Sequence, residues 1–273
     1  MFPLQQRITP VLQGVGIEPT NYCNLKCRMC WSQTPQVYPP RRRGYMKWSL
    51  YRKCIDEFAD YCKLVDVKLS LCLNYGGESM LHPKFCNMIR YAFDKNCFRT
   101  IRSITNATLL TPKICETIVD CRVHTTVSIH DCPETVAAYN KVAELVRLRD
   151  MRERPVIDGA IVQNEFDGDE LLWQLKHWTQ ILDDVTVYPL HSETLQYVDW
   201  DKGPDKFCAQ PTYYMAVLWD GTVYPCCHLF STDFKGMGNV SEEGVLNVWR
   251  GERYELLRAG KLPDAPCKHC ELI

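Results

Sequence analysis

Strand-like and helix-like segments alternate about six times before residue 190, and glycine and polar residues gather just after the strands. Near residue 205 that pattern gives way to a hairpin and a helix. Together these observations predict an α/β fold: a partial (βα)6 TIM-like barrel with a small C-terminal hairpin-plus-helix module. A full barrel takes eight such units in typically ~250 residues, so six units leave the barrel open on one side. The expected division is residues 1–200 for the barrel and 201–273 for the module.

The elements follow in order. A short strand ends over Gly16 to Pro19. Ser49, as N-cap, opens a helix with Leu50, Cys54, Phe58, Tyr61 and Cys62 at helical spacing. Val65 to Tyr75 is apolar and β-rich and runs into Gly76-Gly77. Pro83 starts a helix with Phe85, Met88, Ile89, Ala92 and Phe93 on one face. Arg99 to Thr105 is a strand, Thr111 to Asp120 a helix and Thr125 to Ile129 a strand. Pro133 to Arg149 is one long helix, Val156 to Val162 a strand, Gly168 to Leu182 a helix and Val185 to Leu190 a strand. Tyr213 to Leu218 and Thr222 to Cys226 flank Asp220-Gly221, a strong hairpin signal. Val245 to Arg258 then forms a helix anchored by Leu246, Trp249 and Leu256.

The 273 residues are 46% hydrophobic, enough to bury a sizeable core. A net charge of −1 supplies no basic field for nucleic acid or an anionic membrane. The first ten residues lack a signal-peptide pattern, and no apolar run reaches the ~18 residues of a membrane span. A cytoplasmic protein is expected.

Sixteen cysteines are unusual for such a chain. Cys54, Cys62, Cys72, Cys86, Cys97, Cys115, Cys121 and Cys132 fall in periodic apolar segments and read as small buried hydrophobes. Cys23, Cys27 and Cys30 are different, being three thiols in one short loop directly after a strand. Cubane clusters usually take four thiolates, so three leave one iron open to a substrate or cofactor. A zinc site is the alternative, but it would want a fourth ligand nearby.

Cys-x3-Cys-x2-Cys after the first strand closely resembles the signature of radical S-adenosylmethionine (radical SAM) enzymes. Gly76-Gly77-Glu78 after the second strand resembles the family's Gly-Gly-Glu motif, which hydrogen-bonds the amino group of SAM. Asn106, with Thr105, and Ser128, within Val127-Ser128-Ile129, match positions that in the family approach the SAM carboxylate and ribose. Gly159 and Ile161 resemble part of the adenine-side motif, and Leu190 at the end of the sixth strand is assigned to the cofactor as well. Met29 stands where the family usually has an aromatic residue. Its backbone can still contact adenine, and its polarizable side chain can pack on a ring.

Cys208-x12-Gly221-x4-Cys226 followed by Cys267-x2-Cys270 resembles the SPASM/twitch extension, which binds auxiliary clusters. Four well-placed cysteines suit the shorter twitch form with one cluster, and a structural zinc knuckle is the alternative. Cys226 is assigned by the Gly-x4-Cys spacing, with adjacent Cys227 as the possible exchange. Gly221 supplies the positive φ that a tight hairpin requires.

The resemblance implies two [4Fe-4S] clusters, one binding SAM and one auxiliary, with an electron donor such as flavodoxin or ferredoxin. It implies reductive cleavage of SAM to a 5′-deoxyadenosyl radical, hydrogen abstraction from a small polar substrate, and net oxidation through the auxiliary cluster. Peptide modification by crosslinking, thioether formation or epimerisation is the first alternative. Little chain precedes residue 15 or follows 270 to form a leader-peptide domain, which favours the small substrate. A non-catalytic iron–sulfur or zinc scaffold is the alternative of another class. No catalytic base is assigned. His130 and Asp131, at a strand's C-terminal end, are candidates, and His82, His124 and His191 have similar standing. Arg41, Arg42, Arg43 and Lys47 offer positive charge to an anionic substrate or the SAM carboxylate, although such a run more often forms a solvated loop.

Overall fold

The computed structural model describes residues 10–27, 30, 41–152, 155–162, 166–188, 208–227 and 234–264. Expectations for Met29, Leu190, His191, Cys267 and Cys270 lie outside them.

Six parallel strands form in the expected order: β1 (Gly14–Ile17), β2 (Leu69–Cys72), β3 (Phe98–Thr105), β4 (His124–Ile129), β5 (Ile157–Val162) and β6 (Asp184–Tyr188). Each pairs with its sequence neighbour. This unbroken winding belongs to barrels rather than to doubly wound sheets, whose strand order reverses. Two further strands, β7 (Tyr214–Val217) and β8 (Val223–Tyr224), form the hairpin. β7 lies parallel to β1, and β8 returns antiparallel, giving the order β6-β5-β4-β3-β2-β1-β7-β8. The hairpin thus continues the barrel sheet. At its turn, Gly221 has φ +91°, and an added Cβ would meet Asn239 Oδ1 at 2.6 Å.

The crossover helices are α1 (Trp48–Val65), α2 (Phe85–Asp94), α3 (Pro112–Asp120), α4 (Pro133–Ala137), α5 (Tyr139–Arg152) and α6 (Gly168–Trp178). Apolar stripes place Tyr51, Cys54, Ile55 and Phe58 of α1, and Phe85, Met88 and Ile89 of α2, against Leu69 and Leu71 in the core. Thr111 caps α3, accepting from Ile114 N.

Several local expectations change. α1 starts at Trp48, one residue early, with Lys47 rather than Ser49 at the cap position; Trp48 stacks on Tyr51 at 5.7 Å. Phe93 leaves the buried face of α2 and is 40% exposed. The long helix from Pro133 divides at Ala138, where i−3 bonds from Ala138 N to Thr135 O and from Lys141 N to Ala138 O tighten the backbone. The last helix also divides, into α8 (Val245–Trp249) and α9 (Glu252–Arg258), after the short α7 (Gln210–Tyr213) that precedes β7. Gly251 is extended at φ −68°, ψ 159° and ends one helix while starting the next. Val245, Val248, Trp249, Tyr254 and Leu257 are the buried anchors there, with Leu246 and Leu256 only half-buried.

The C-terminal segment is fastened to the barrel. Glu57 of α1 accepts Val245 N at 2.6 Å, and Lys53 donates to Val240 O at 2.8 Å. Trp249 Nε1 donates to Pro10 O. Of the scattered cysteines, Cys54, Cys62, Cys97, Cys115 and Cys121 are buried, and Cys72, Cys86 and Cys132 half-buried. Burial pushes the Cys54 thiol up to about 12 and those of Cys72 and Cys115 to about 11, as apolar surroundings do to inert thiols. No helix among the described residues is long and apolar enough to cross a membrane.

Candidate active site

The C-terminal ends of β1 to β5 surround a cavity of about 260 Å³. Cys23, Cys27, Cys30, Gly76, Gly77, Glu78, Asn106, Ser128 and His130 all line it, together with Asn74, Tyr75, Ile104 and Val162. Residues from five separate stretches of sequence therefore meet where parallel α/β folds collect ligands.

The cysteine loop is shaped by its neighbours. Glu78 N donates to Tyr22 O at 2.8 Å. A Cβ on Gly77 would stand 2.4 Å from Tyr22 O and 2.7 Å from Thr20 O, so only glycine lets the two loops pass this closely. Cys30 N donates to Cys27 O at 3.0 Å, which ties the last two cysteines together. Asn106 Nδ2 donates to Asn24 Oδ1 at 3.1 Å, and Asn24 Nδ2 donates to Thr108 Oγ1 at 2.8 Å. Asn106 therefore ties the end of β3 to the segment between Cys23 and Cys27.

Glu78 is almost fully buried. Its carboxylate accepts from Met80 N (3.2 Å), Thr105 Oγ1 (3.1 Å) and Asn106 N (2.9 Å). Burial pushes its pKa up, and those three donors pull it back. A carboxylate has about four acceptor sites, so one remains for a ligand. Asn74 also lines the cavity, and its buried Oδ1 has no hydrogen-bond partner among the described residues.

Glu18, just after β1, is 0% exposed. It forms a two-pronged pair with Arg41, at 2.6 and 3.3 Å, and accepts Gly76 N at 3.1 Å and Trp219 N at 3.3 Å. Arg41 is thereby bound within the protein, neither in a solvated loop nor free for an anionic ligand. Arg42 serves the hairpin through its backbone, its carbonyl accepting from Trp219 Nε1 at 3.2 Å.

Some expected residues stand elsewhere. Asp131 is exposed and Ile161 buried, and neither lines the cavity; on β5 the lining residue is Val162. Strand alternation explains this, since Gly159 and Ile161 face the side on which a Gly159 Cβ would meet Leu182. His124 lies at the N-terminal end of β4, 2.7 Å from Asp158 Oδ2. Burial opposes ionisation of Asp158, yet the bond from His124 holds its carboxyl below the usual range. His82 is structural: Nε2 donates to Met46 O, Nδ1 accepts from Lys84 N, and burial lowers its pKa.

The donor set fits a cubane: such a cluster takes its thiolates at separate corners, and Cys23, Cys27 and Cys30 share one cavity.

Cys208 and Cys226 flank the hairpin at one end, before α7 and after β8. The Tyr213 phenol is pushed up by burial and then by Cys208 and Cys227; Tyr214 is pushed up by burial and then by Cys72, Cys227 and Cys226. Tyr213 and Tyr214 thus lie within electrostatic range of cysteines on both sides of the hairpin.

Residues 208–271 match SPASM, an iron–sulfur cluster-binding domain. The tungsten-containing aldehyde ferredoxin oxidoreductase cofactor-modifying protein of Pyrococcus furiosus is 23% identical, with 89% of this chain and 82% of that one covered. Among solved structures, BtrN in complex with AdoMet and 2-DOIA has TM-score 0.60 at 16% identity, covering 91% of this chain and 86% of that one. Streptococcus suis SuiB bound to S-adenosylmethionine has TM-score 0.67 at 14% identity, covering 96% and 72%. Native anSMEcpe with bound AdoMet has TM-score 0.64 at 13% identity, covering 89% and 82%. At such identities the three structures share this chain's fold.

Motifs, fold and domain match together support a radical SAM enzyme. More particularly, they support one carrying a SPASM-type module, with S-adenosylmethionine and [4Fe-4S] clusters, one of them auxiliary, as its cofactors.

Proposed function

We propose that the chain oxidises a small polar substrate by radical chemistry, holding its SAM-binding cluster through Cys23, Cys27 and Cys30 and its auxiliary cluster through Cys208, Cys226, Cys267 and Cys270. The observation that carries this reading is the meeting of the three thiols with Gly77, Glu78, Asn106 and Ser128 around one cavity. Cys23, Cys27 and Cys30 would hold the first cluster, which when reduced would supply the electron for reductive cleavage of S-adenosylmethionine.

The protein's task is binding and orientation. Glu78 and Asn74 Oδ1 offer acceptors to an ammonium group. By the family resemblance Asn106 and Ser128, both on the cavity wall, are assigned to the carboxylate and ribose, and Met29 and Leu190 to the adenine side, whereas Ile161, buried away from the cavity, takes no part. The open face of β4 to β6 leaves room for the substrate, and His130 on the cavity wall is a candidate proton acceptor. Flavodoxin or ferredoxin suits the electron supply.

The substrate class is supported by BtrN, solved with 2-DOIA, and by the description of the Pyrococcus relative as cofactor-modifying. Peptide modification is the second reading, favoured by SuiB, which is also solved bound to precursor peptide SuiA at TM-score 0.66.

Anaerobic reconstitution is expected to load about eight irons per chain. With SAM and a reductant the protein should release 5′-deoxyadenosine, and Cys27→Ala should abolish that release. Zinc in place of iron would sink the proposal, and clusters without SAM cleavage would leave the scaffold reading. Deuterium carried into 5′-deoxyadenosine from a labelled polyol rather than a labelled peptide decides the substrate class.

A further inference from the structure

The two cysteine groups lie at opposite ends of neighbouring parallel strands. Cys23 follows the C-terminal end of β1, whereas Cys208 and Cys226 stand beside the N-terminal end of β7. Four residues of strand separate those ends, about 13 Å.

Tyr75 reaches both. It immediately precedes Gly76 and lines the cavity shared by Cys23, Cys27 and Cys30. Its hydroxyl donates to the carbonyl of Cys226 at 3.4 Å, and its ring meets Tyr224 of β8 edge-on at 6.3 Å. Burial keeps the phenol neutral and therefore a donor, its pKa pushed well above the ordinary value.

The ring is also held from behind. The Arg41 guanidinium lies 5.6 Å from its centroid, and Arg41 is fixed by Glu18. Glu18 accepts both Gly76 N, next to Tyr75 in the chain, and Trp219 N in the hairpin turn. One buried carboxylate thus anchors the cavity loop and the hairpin together.

We propose that Tyr75 is a positioning residue that couples the two centres. Its ring is part of the wall facing bound S-adenosylmethionine, and its hydroxyl sets where Cys226 presents its thiolate. Groups that hold a ligating residue without touching the metal orient the ligand and tune the metal. Occupancy of the cavity is therefore felt at the auxiliary cluster, and by linkage the state of that cluster is felt in the cavity. The proposal rests on the two-cluster reading above.

The test is an EPR-monitored redox titration of the reconstituted full chain, with and without S-adenosylmethionine, in wild type and Tyr75→Phe. Wild type should hold about eight irons and show an auxiliary-cluster potential that shifts when S-adenosylmethionine is added. Tyr75→Phe keeps the ring and should lose that shift. Tyr224→Phe removes a hydroxyl that donates to Phe234 O at 3.4 Å and should retain it. An equal shift in wild type and Tyr75→Phe, or none in wild type, overturns the coupling. Wild type with about four irons removes the auxiliary cluster and the proposal with it, and that count separates failure of the two-cluster reading from failure of the link. Should Tyr75→Phe not fold, Arg41→Lys is expected to weaken the shift, and an unchanged shift there also overturns the proposal.

Discussion

At the ends of β1, β2 and β3, polar side chains are buried and committed to one another: Glu18 to Arg41, and Glu78 to Thr105 and Asn106. Along β4, β5 and β6 the cavity side is more open, with Ser128 and Val162 half-buried, Thr186 exposed and Tyr188 47% exposed. Both regions belong to one sheet, yet they manage polarity in opposite ways. A network largely paired before any ligand arrives costs little reorganisation on binding and suits a partner that never changes, such as S-adenosylmethionine. An open face suits the partner that differs from enzyme to enzyme.

The sharpest way to break that contrast is at Glu18. Glu18→Ala would strand the Arg41 guanidinium in a largely buried position and free two backbone N–H groups. Removing one partner of a buried pair costs about 3–5 kcal/mol, so denaturant unfolding should show the largest loss here; a near-neutral result would mean that the network is ornamental. Gly77→Ala comes next, since its methyl would meet backbone oxygens, which cannot rotate away. Overpacking of this kind costs about 1–3 kcal/mol, and SAM binding by the reconstituted protein should weaken with it. Tyr188→Ala should shift stability by no more than about 0.5 kcal/mol, while turnover falls more than SAM cleavage without substrate. A large stability loss at Tyr188 would erase the difference between the two halves.

The same contrast explains what could be read without the fold. Cys23, Cys27, Cys30, Gly76, Gly77 and Glu78 are contiguous signals, legible because a loop must place its own ligands and because glycine has few substitutes at a close crossing. Glu18, Asn24, Asn74, Tyr75 and Thr108 carry no such mark. Glu18, Asn24 and Tyr75 matter through partners 23 to 201 positions away: Arg41 and Trp219 for Glu18, Thr108 for Asn24 and Cys226 for Tyr75. Arg41 sat in a conspicuous basic run, but its partner was invisible until β1 and the 41–44 segment came together. Strand order followed from alternation and turn residues, whereas the placement of β7 beside β1 needed knowledge of which sheet edge lay uncovered.

β1 also has a companion that a one-dimensional pattern hides. Tyr214 lays its ring over Gly14 and Gly16, where added methyl groups would stand 3.2 Å from its Cδ2 and 2.3 Å from its hydroxyl. The lumen on this side is therefore filled by a side chain lent from a distant part of the chain. Volume at positions 14 and 16 and volume at 214 form one shared quantity, so substitutions at the three should arise together through descent, and a larger residue on β1 should be tolerated only where 214 has become small.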